Sequence, residues 1–141
     1  MARRETYLDH LASVPLFSAC SRRELGKIAK AGDELTVDDG HVLVSQGDAG
    51  RECFVVIEGK AVVKRGTRKV ATLGPGDCVG ELALLDHGPR TATVVADGPM
   101  TVFVLGARQF AGVLEDVPSL SRKVMAALAS RVRELDSKLF S

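Results

Sequence analysis

The chain of 141 residues has no tryptophan, one tyrosine, three cysteines and three histidines. Cys20, Cys53 and Cys78 form no Cys-x-x-Cys pair, and such an odd, widely spaced set is typical of reduced thiols in a cytoplasmic protein. The histidines are equally scattered, whereas a metal centre needs several clustered imidazole, thiolate or carboxylate ligands. The composition therefore predicts neither a metal site nor a redox pair.

The chain also lacks long apolar runs and a strong charge of either sign. No apolar run approaches the ~20 residues that span a bilayer, and residues 1–6 lack the apolar core of a signal peptide. A formal net charge of +1 provides no large electrostatic footprint for DNA or RNA. The length is that of one domain, which can bury a core without disulfides or metals. We expect a cytoplasmic protein without nucleic-acid or membrane partners.

Helical patterns occupy both ends of the chain, at residues 1–32 and 107–141. Ser21 and Glu24 have the spacing of a capping box at the start of a helix. At the other end, Pro118 begins a long helix. The apolar residues of this helix recur at intervals of three and four and are Leu120, Val124, Leu128, Val132, Leu135 and Leu139. We interpret this stripe as core or dimer contact rather than as part of a ligand pocket.

Residues 33–106 form a β-rich zone that glycines divide into short segments. Runs of β-branched and apolar residues stand at 41–44, 54–57, 61–63, 91–95 and 101–105. Strands at such regular spacing predict a jelly-roll barrel or a sandwich. The segment Ile57-Glu58-Gly59-Lys60 predicts a hairpin turn in which Gly59 takes a positive φ. Basic residues surround a predicted hairpin and are interpreted as a solvated face: Lys60, Lys64, Arg65, Arg68 and Lys69.

Residues 80–94 interrupt this zone with a short helical segment and carry the chemistry. Gly80 permits a sharp turn and the close approach of a ligand. The first N–H groups of the helix that follows lack intrahelical partners and form an anion site. Arg90 adds a permanent positive charge with two parallel donors, and Glu81 can accept a hydrogen bond from a hydroxyl. Together these residues suit a ligand with one phosphate and one sugar hydroxyl.

The order Gly80-Glu81, then small and apolar residues, then Pro89-Arg90-Thr91-Ala92 resembles the phosphate-binding cassette of the cyclic-nucleotide-binding domain family. That family includes bacterial catabolite activators, the regulatory subunits of cyclic-AMP-dependent kinase and cyclic-nucleotide-gated channels. Further segments extend the resemblance over nearly the whole chain: Val14-Pro15-Leu16-Phe17, Gly40, Gln46-Gly47-Asp48, Ile57-Glu58-Gly59 and Gly74-Pro75-Gly76-Asp77.

The resemblance implies an α+β fold that is mainly β. Its centre is an eight-stranded jelly-roll β-barrel, with N-terminal helices, a short phosphate-binding helix and a C-terminal lid helix. One domain then covers residues 1–141: N-terminal helices in 1–32, the barrel in 33–106 with the cassette at 80–92, and C-terminal helices in 107–141.

By position in the family's pattern, the resemblance also implies roles for the site residues. Glu81 takes the ribose 2′-hydroxyl, and Arg90 pairs with the cyclic phosphate beside the turn at Gly80. The phosphate cradle is completed by Leu82, Ala83, Thr91 and Ala92. The purine or ribose faces Val70, Leu73 and Val79. Arg131 on the last helix reaches over the purine, and the lack of tryptophan or tyrosine after residue 90 leaves Phe140 as the aromatic lid.

These roles predict a sensor domain that binds cyclic AMP in preference to cyclic GMP and moves its C-terminal helix when the ligand binds. The hydroxyl of Thr91 keeps cyclic GMP open, because a threonine here favours guanine in some members of the family. We expect neither catalytic activity nor a cofactor. The expected partner is an unidentified effector protein, and the chain is expected to be a monomer or a weak dimer through its C-terminal helix.

Other interpretations of the same residues stay open. Glu81 and Arg90 are compatible with a structural ion pair at a strand end. A cupin-like metal enzyme also has a small β-barrel, but it needs clustered histidines, which the sequence lacks. A degenerate domain that serves only as an interaction surface would not need the two charged residues. A DNA-binding activator adds a helix-turn-helix after the long helix, where this sequence ends at Ser141, and a fragment of a larger protein is a further alternative.

Overall fold

The computed structural model describes residues 2–86 and 88–140, with the side chains of 5–86 and 88–139. The helices are α1 (Ala2–Ala12), α2 (Arg22–Ala31), α3 (Ala107–Asp116) and α4 (Pro118–Phe140), with 3-10 helices at Pro15–Phe17 and Glu81–Leu84. The strands are β1 (Asp33–Val37), β2 (Val42–Val44), β3 (Glu52–Glu58), β4 (Ala61–Arg65), β5 (Arg68–Leu73), β6 (Cys78–Val79), β7 (Thr93–Ala96) and β8 (Met100–Gly106). No helix within these ranges is long and apolar enough to span a membrane.

The strands form two antiparallel sheets of four strands each, in the orders β1-β8-β3-β6 and β2-β7-β4-β5. The α+β class expected from the sequence is confirmed, and the expected jelly-roll β-barrel is not closed. Between the strands described here, no ladder of hydrogen bonds joins one sheet to the other. The edge strand β6 has only two residues, and both already pair with β3. So short a strand offers too few free backbone groups to close a barrel.

Gly59 has a φ of 87°, which confirms the positive φ expected from the sequence. The hairpin expected around it is wrong, because β3 and β4 belong to different sheets. A Cβ at this position would lie 2.7 Å from the Cβ of Met100 and from the carbonyl oxygen of Pro99. Glycine is therefore needed where the chain crosses between sheets at close range. The tight hairpin connects β4 to β5 instead, where Arg65 pairs with Arg68.

The core has two parts, and the site described below lies at their boundary. The larger part is enclosed by the helices and by β3 and β8. Among its buried residues are Leu11, Phe17, Ile28, Phe103, Phe110 and Leu120. The smaller part fills the space between the two sheets and includes Val37, Val44, Phe54, Val56, Val94, Met100 and Val102. Because residues of β3 alternate between the two parts, this strand separates the helical layer from the interior of the sheets.

Glu24 connects the second helix to the last one. The capping box expected from the sequence is confirmed: the N–H of Glu24 donates to Oγ of Ser21 at 3.2 Å, and the N–H of Ser21 donates to Oε1 of Glu24 at 2.8 Å. Oγ of Ser119 donates to Oε2 at 2.6 Å, and Nζ of Lys123 donates to Oε1. The bond from Lys123, followed by that from Ser119, lowers the pKa of Glu24 to about 2. One buried carboxylate thus caps α2 and fixes the first turns of α4.

The apolar stripe of α4 divides into two halves. Leu120 and Val124 are buried in the helical core, and Leu128 is half-buried. From residue 132 to residue 139 every side chain is exposed. The core contact expected from the sequence is therefore confirmed for the first half of the stripe. The second half is not buried against the rest of the domain.

We predict that Glu24→Gln lowers the free energy of unfolding at neutral pH by about 1.5–3 kcal/mol, the range for hydrogen bonds to a charged group. A lowered carboxyl pKa stabilises the fold at pH values above the unfolded pKa of about 4.3. That stabilisation is lost as the pH falls through the folded value of about 2. Urea unfolding across this acidic window measures the effect, and the wild type should lose stability more steeply than the variant.

Glu115→Gln is the matched control, because it neutralises an exposed carboxylate on α3. It should leave the free energy of unfolding at neutral pH close to that of the wild type. The loss of this free energy as the pH falls should also be close to that of the wild type. If Glu24→Gln loses stability with falling pH as steeply as the wild type does, the bonds of Glu24 do not stabilise the fold.

Candidate ligand-binding site

A cavity of about 500 Å³ opens beside the 3-10 helix Glu81–Leu84 and against the sheet β2-β7-β4-β5. Strands of that sheet supply an apolar wall that consists of Val44, Val63, Leu73 and Val94. Polar and charged side chains also line the cavity and are Arg65, Glu81, Asp86, Arg90, Thr91 and Arg131. The volume lies within the ~300–1,000 Å³ of small-molecule sites, and an apolar wall with a few polar groups is their usual composition.

Gly80 determines how closely the 3-10 helix approaches the charged end of the cavity. Its φ of 73° lies in the left-handed region, which glycine adopts without strain. A Cβ at this position would overlap Nη1 of Arg90 and would lie 3.1 Å from the carbonyl oxygen of Glu52. The space left by the missing side chain is therefore occupied by the guanidinium of Arg90.

Arg90 has one guanidinium nitrogen that is bonded and one that is not. Nη2 donates to the carbonyl oxygen of Glu52 at 2.7 Å, and the guanidinium carbon lies 6.0 Å from the centre of the Phe54 ring. Nη1 is buried and has no hydrogen-bond partner among the described residues. Burial lowers the pKa of Arg90, although a guanidinium remains a cation at neutral pH. A buried charged donor without a partner costs free energy, and an anion in the cavity would remove that cost.

Glu81 is buried, and both of its carboxylate oxygens accept hydrogen bonds. Oε2 accepts from the N–H of Leu16 at 3.1 Å, and Oε1 accepts from Nη1 of Arg131 on α4. The ion pair of Glu81 is thus with Arg131, and the alternative pair with Arg90 is not formed. A carboxylate has about four acceptor sites, so Glu81 can accept a further bond from a ligand hydroxyl.

Arg131 lines the cavity from α4, and 42% of its side chain is exposed. This side chain is expected from the sequence to lie above a purine, whereas in the structure its Nη1 is bonded to Glu81. Phe140, expected as an aromatic lid, lies outside the described side chains. The contact between α4 and the site is therefore an ion pair with the cavity wall.

The four residues expected to complete a phosphate cradle all line the cavity, but one of their amides is already used. The N–H of Ala83 donates to the carbonyl oxygen of Gly80 at 3.0 Å, within the 3-10 helix. Ala83 is buried, and Leu82 is 46% exposed. Thr91 is exposed and Ala92 is half-buried at the start of the segment that leads into β7. The short 3-10 helix therefore uses one of these backbone N–H donors internally, so not all of them are available to a ligand in the cavity.

Leu73 and Val79, expected to face a purine or ribose, line the cavity, and Val70 does not. Val70 is the extra residue at a register shift between β4 and β5, because Ala71 and Lys69 pair with consecutive residues of β4. Val70 is 45% exposed. A bulge of this kind interrupts the alternation of side chains along a strand, so Val70 lies away from the site that the sequence pattern assigns to it.

Other cavity residues are missing from the set expected from the sequence. Val44, Val63 and Val94 lie on strands that the sequence predicts. The alternation of side chains along these strands is the signal that could have identified them as facing inward. Arg65 is expected from the sequence on a solvated basic face, although it stands two residues from Val63 and shares its side of β4.

Thiol chemistry in the cavity is limited by burial. Cys78 lines the cavity, and burial is the main cause that raises its pKa to about 12. Burial also raises the pKa of Cys53 on the neighbouring strand. All three cysteines are free thiols, and the raised pKa keeps Cys78, the one that lines the cavity, protonated at neutral pH. In the described ranges, no group of three or more His, Cys, Asp or Glu side chains is placed to hold a metal ion.

Residues 34–117 match the family model described as "Cyclic nucleotide-binding domain". The chain is 33% identical over 136 residues to the cAMP-dependent protein kinase regulatory subunit of Hypocrea atroviridis, an alignment that covers 96% of this chain and 29% of the relative. The chain spans less than a third of the length of the curated relatives that it matches.

Two solved structures are similar to this fold over most of the chain. The N-terminal domain of a transcriptional regulator from Streptomyces coelicolor A3(2) has a TM-score of 0.87 and 31% identity, and the match covers 92% of this chain and 96% of that one. The regulatory domain of Toxoplasma gondii PKA, crystallised with cAMP, has a TM-score of 0.69 and 32% identity, with 94% and 51% covered. On these matches and on the geometry of its cavity, the chain belongs to the cyclic nucleotide-binding domain family.

Proposed function

We propose that this domain binds cyclic AMP in preference to cyclic GMP and acts as a regulatory module rather than as an enzyme. The observation that carries the proposal is Nη1 of Arg90, a buried cationic donor without a partner among the described residues. A cyclic phosphate supplies anionic acceptor oxygens, and charge-assisted hydrogen bonds from a guanidinium to a phosphate are strong. Binding would give this donor the partner that the described residues do not provide.

A cyclic nucleotide has three parts, and the cavity offers a partner for each. Arg90 suits the phosphate. Glu81 keeps acceptor capacity for the ribose 2′-hydroxyl while it holds Arg131. The wall with Val63 and Leu73 suits the faces of a purine, whose burial contributes hydrophobic free energy. The volume of about 500 Å³ is of the size that small ligands occupy.

The preference for cyclic AMP is supported by the similar proteins. The curated relatives are named cAMP-dependent protein kinase regulatory subunits, and the similar Toxoplasma gondii structure contains cAMP. Thr91 lines the cavity, and its hydroxyl both donates and accepts, so it excludes neither purine.

The same proposal couples ligand binding to the position of α4. Lys123 fixes the start of the helix to Glu24, and Arg131 fixes its middle to Glu81. Beyond Arg131 every described side chain is exposed. A ligand at Glu81 contacts Arg131 only when α4 is docked, and such a differential contact shifts the equilibrium towards the docked helix. An effector protein that binds α4 would then respond to the ligand.

Weak self-association through α4 is also part of the proposal. Met125, Val132, Leu135 and Leu139 are 62%, 64%, 61% and 77% exposed. With the half-buried Leu128 they are spaced alternately by three and four residues, which is the seam of a two-stranded coiled coil. The seam is short, so we expect a dimer that forms only at high concentration.

We predict that cyclic AMP stabilises the domain and that Arg90→Ala weakens its binding roughly ten- to hundredfold, because a charge-assisted bond contributes about 1.5–3 kcal/mol. Isothermal calorimetry measures the affinity. For the wild type, a thermal shift assay should show about 2.7 kcal/mol of added stability at 100 times the dissociation constant.

Arg51→Ala is the control, because it removes an exposed arginine that does not line the cavity. It should bind cyclic AMP as the wild type does. If Arg90→Ala binds equally well, the phosphate is held elsewhere, and if neither cyclic AMP nor cyclic GMP binds the wild type, the proposed function is wrong.

We predict that cyclic AMP slows amide hydrogen exchange in residues 124–131 of α4 more than in α2. Arg131→Ala should reduce this protection by about fivefold, since a half-exposed ion pair contributes about 1 kcal/mol. Hydrogen exchange with mass spectrometry measures both, with the exposed Arg133→Ala as the control. Equal protection in the two arginine variants would show that Arg131 does not couple the site to the helix.

For self-association, we predict that the mass of the wild type rises above the 15.0 kDa of one chain as its concentration increases. Leu135→Glu should abolish this rise, because it places a charge in the apolar seam. Ser130→Glu adds the same charge on the opposite face of the helix and should not. Sedimentation equilibrium measures the mass, and a wild type that remains at 15.0 kDa at every concentration contradicts a dimer.

A further inference from the structure

The loop between β2 and β3 holds the backbone of Arg90. Ala49 of this loop forms an isolated antiparallel bridge with Pro89. Beside that bridge, the N–H of Gly47 donates to the carbonyl oxygen of Arg90 at 2.9 Å, and the N–H of Arg90 donates to the carbonyl oxygen of Asp48 at 2.7 Å. Both backbone polar groups of Arg90 are therefore bonded to this loop, which fixes the point from which its side chain enters the cavity.

Gln46 belongs to the same loop and makes two bonds outside it. Its N–H donates to Oγ1 of Thr93, the first residue of β7, at 2.9 Å. Its side-chain Oε1 accepts from the N–H of Gly66 at 2.9 Å. Gly66 lies in the two-residue turn of the β4–β5 hairpin, next to the pair of Arg65 with Arg68. One residue thus connects this loop to the end of the hairpin.

The end of the hairpin has little other support. The ladder between β4 and β7 ends at the pair Lys64 and Thr93, so the turn extends beyond β7. β5 is the edge strand of its sheet, and five of its six residues are exposed. In the described part of the chain, the bond from Gly66 to Gln46 is the one hydrogen bond that connects the turn to a residue outside the hairpin. A segment with so few contacts opens locally at a low free-energy cost.

This hairpin forms one wall of the cavity. Val63 and Arg65 of β4 line it together with Leu73 of β5. Arg90 also lines the cavity, whereas Gln46 does not. The side-chain bond of Gln46 and the backbone bonds of its loop therefore act on two groups that face a ligand. Together these bonds fix the position of the hairpin wall relative to the guanidinium of Arg90.

We propose that Gln46 is a positioning residue that holds the hairpin wall in a fixed position relative to Arg90 before a ligand binds. A cyclic nucleotide needs both groups at once, because the proposed site binds its phosphate at Arg90 and its purine along this wall. A wall that is already fixed loses less conformational entropy when the ligand binds, which raises the affinity. Gln46 is exposed, so its bond has the effect of one ordinary hydrogen bond. This inference rests on the proposed function.

The first measurement is amide hydrogen exchange of the hairpin in ligand-free protein. Gln46→Ala removes the acceptor of the Gly66 N–H, so exchange in residues 64–69 should become roughly two- to tenfold faster. Exchange in β3 and β8 should not change, whereas a general loss of stability would accelerate it there too. Gln46→Glu keeps an acceptor oxygen at the same position along the side chain and should restore the exchange rate of the wild type.

The second measurement is the affinity for cyclic AMP, by calorimetry in about 1 M salt, where a Debye length of ~3 Å screens the charge that Gln46→Glu adds. Gln46→Ala should bind cyclic AMP roughly two- to tenfold more weakly than the wild type, the change that one ordinary hydrogen bond makes. Gln46→Glu should bind it as the wild type does. Thr67→Ala is the matched control and should change neither exchange nor affinity, because it truncates a side chain of the same turn that has no hydrogen bond among the described residues.

The outcomes separate this inference from the proposed function. A wild type that binds neither cyclic AMP nor cyclic GMP overturns both. If the wild type binds and Gln46→Ala binds equally well, or if Gln46→Glu fails to restore the exchange or the affinity, the role of Gln46 alone is wrong. Faster exchange in β3 and β8 as well as in the hairpin would assign Gln46 to the general stability of the fold. Equal effects of Thr67→Ala and Gln46→Ala would assign the result to the turn itself, and either of these two results also overturns the positioning role.

Discussion

The carboxylate of Glu81 connects three parts of the chain that are distant in sequence. Its oxygens accept from the backbone of Leu16 and from the side chain of Arg131, and the residue itself lies in the wall of the cavity. A buried ionised carboxylate is stable only when its acceptor sites are used, so the N-terminal 3-10 helix and α4 must both be in place around it. The turn at Gly80 is what brings Glu81 to this point. The cavity is therefore shaped by the helices at both ends of the chain as well as by the sheets.

Glu81 shares this arrangement with Glu24, and these two are the buried charged residues of the described ranges. Each binds a basic residue of α4, Lys123 in one case and Arg131 in the other. The bond at Glu24 lies outside the cavity, so it holds the start of the helix whether or not a ligand is present. The bond at Glu81 lies inside the cavity, so a ligand acts on it directly. Two different carboxylates thus bind α4, Glu24 as a fixed anchor and Glu81 as the group that a ligand can reach.

Features with a local cause could be predicted from the sequence, and features that depend on long-range geometry could not. The capping box of Ser21 and Glu24 and the positive φ of Gly59 follow from a few neighbouring residues, and both predictions are confirmed. Which sheet the chain joins after Gly59 depends on strands far along the sequence, and the expected hairpin is wrong for that reason. The bulge that displaces Val70 leaves no clear pattern in the sequence. The partner of Arg131 lies fifty residues away, which no local pattern indicates.

The exposed second half of α4 has a mechanical consequence. A helix rises about 1.5 Å per residue, so the stretch from the bond at Lys123 to the last described residue, Phe140, is a rod of about 25 Å. If the rod pivots at Lys123, a tilt of about 10° displaces its far end by about 4 Å, while the site near Arg131 moves by only about 2 Å. The helix then works as a lever that enlarges a small change in the cavity. The length of the helix beyond Arg131 determines how much larger the displacement at its far end is than the displacement near the cavity. A shorter or longer segment would change the displacement at the far end without altering the cavity wall.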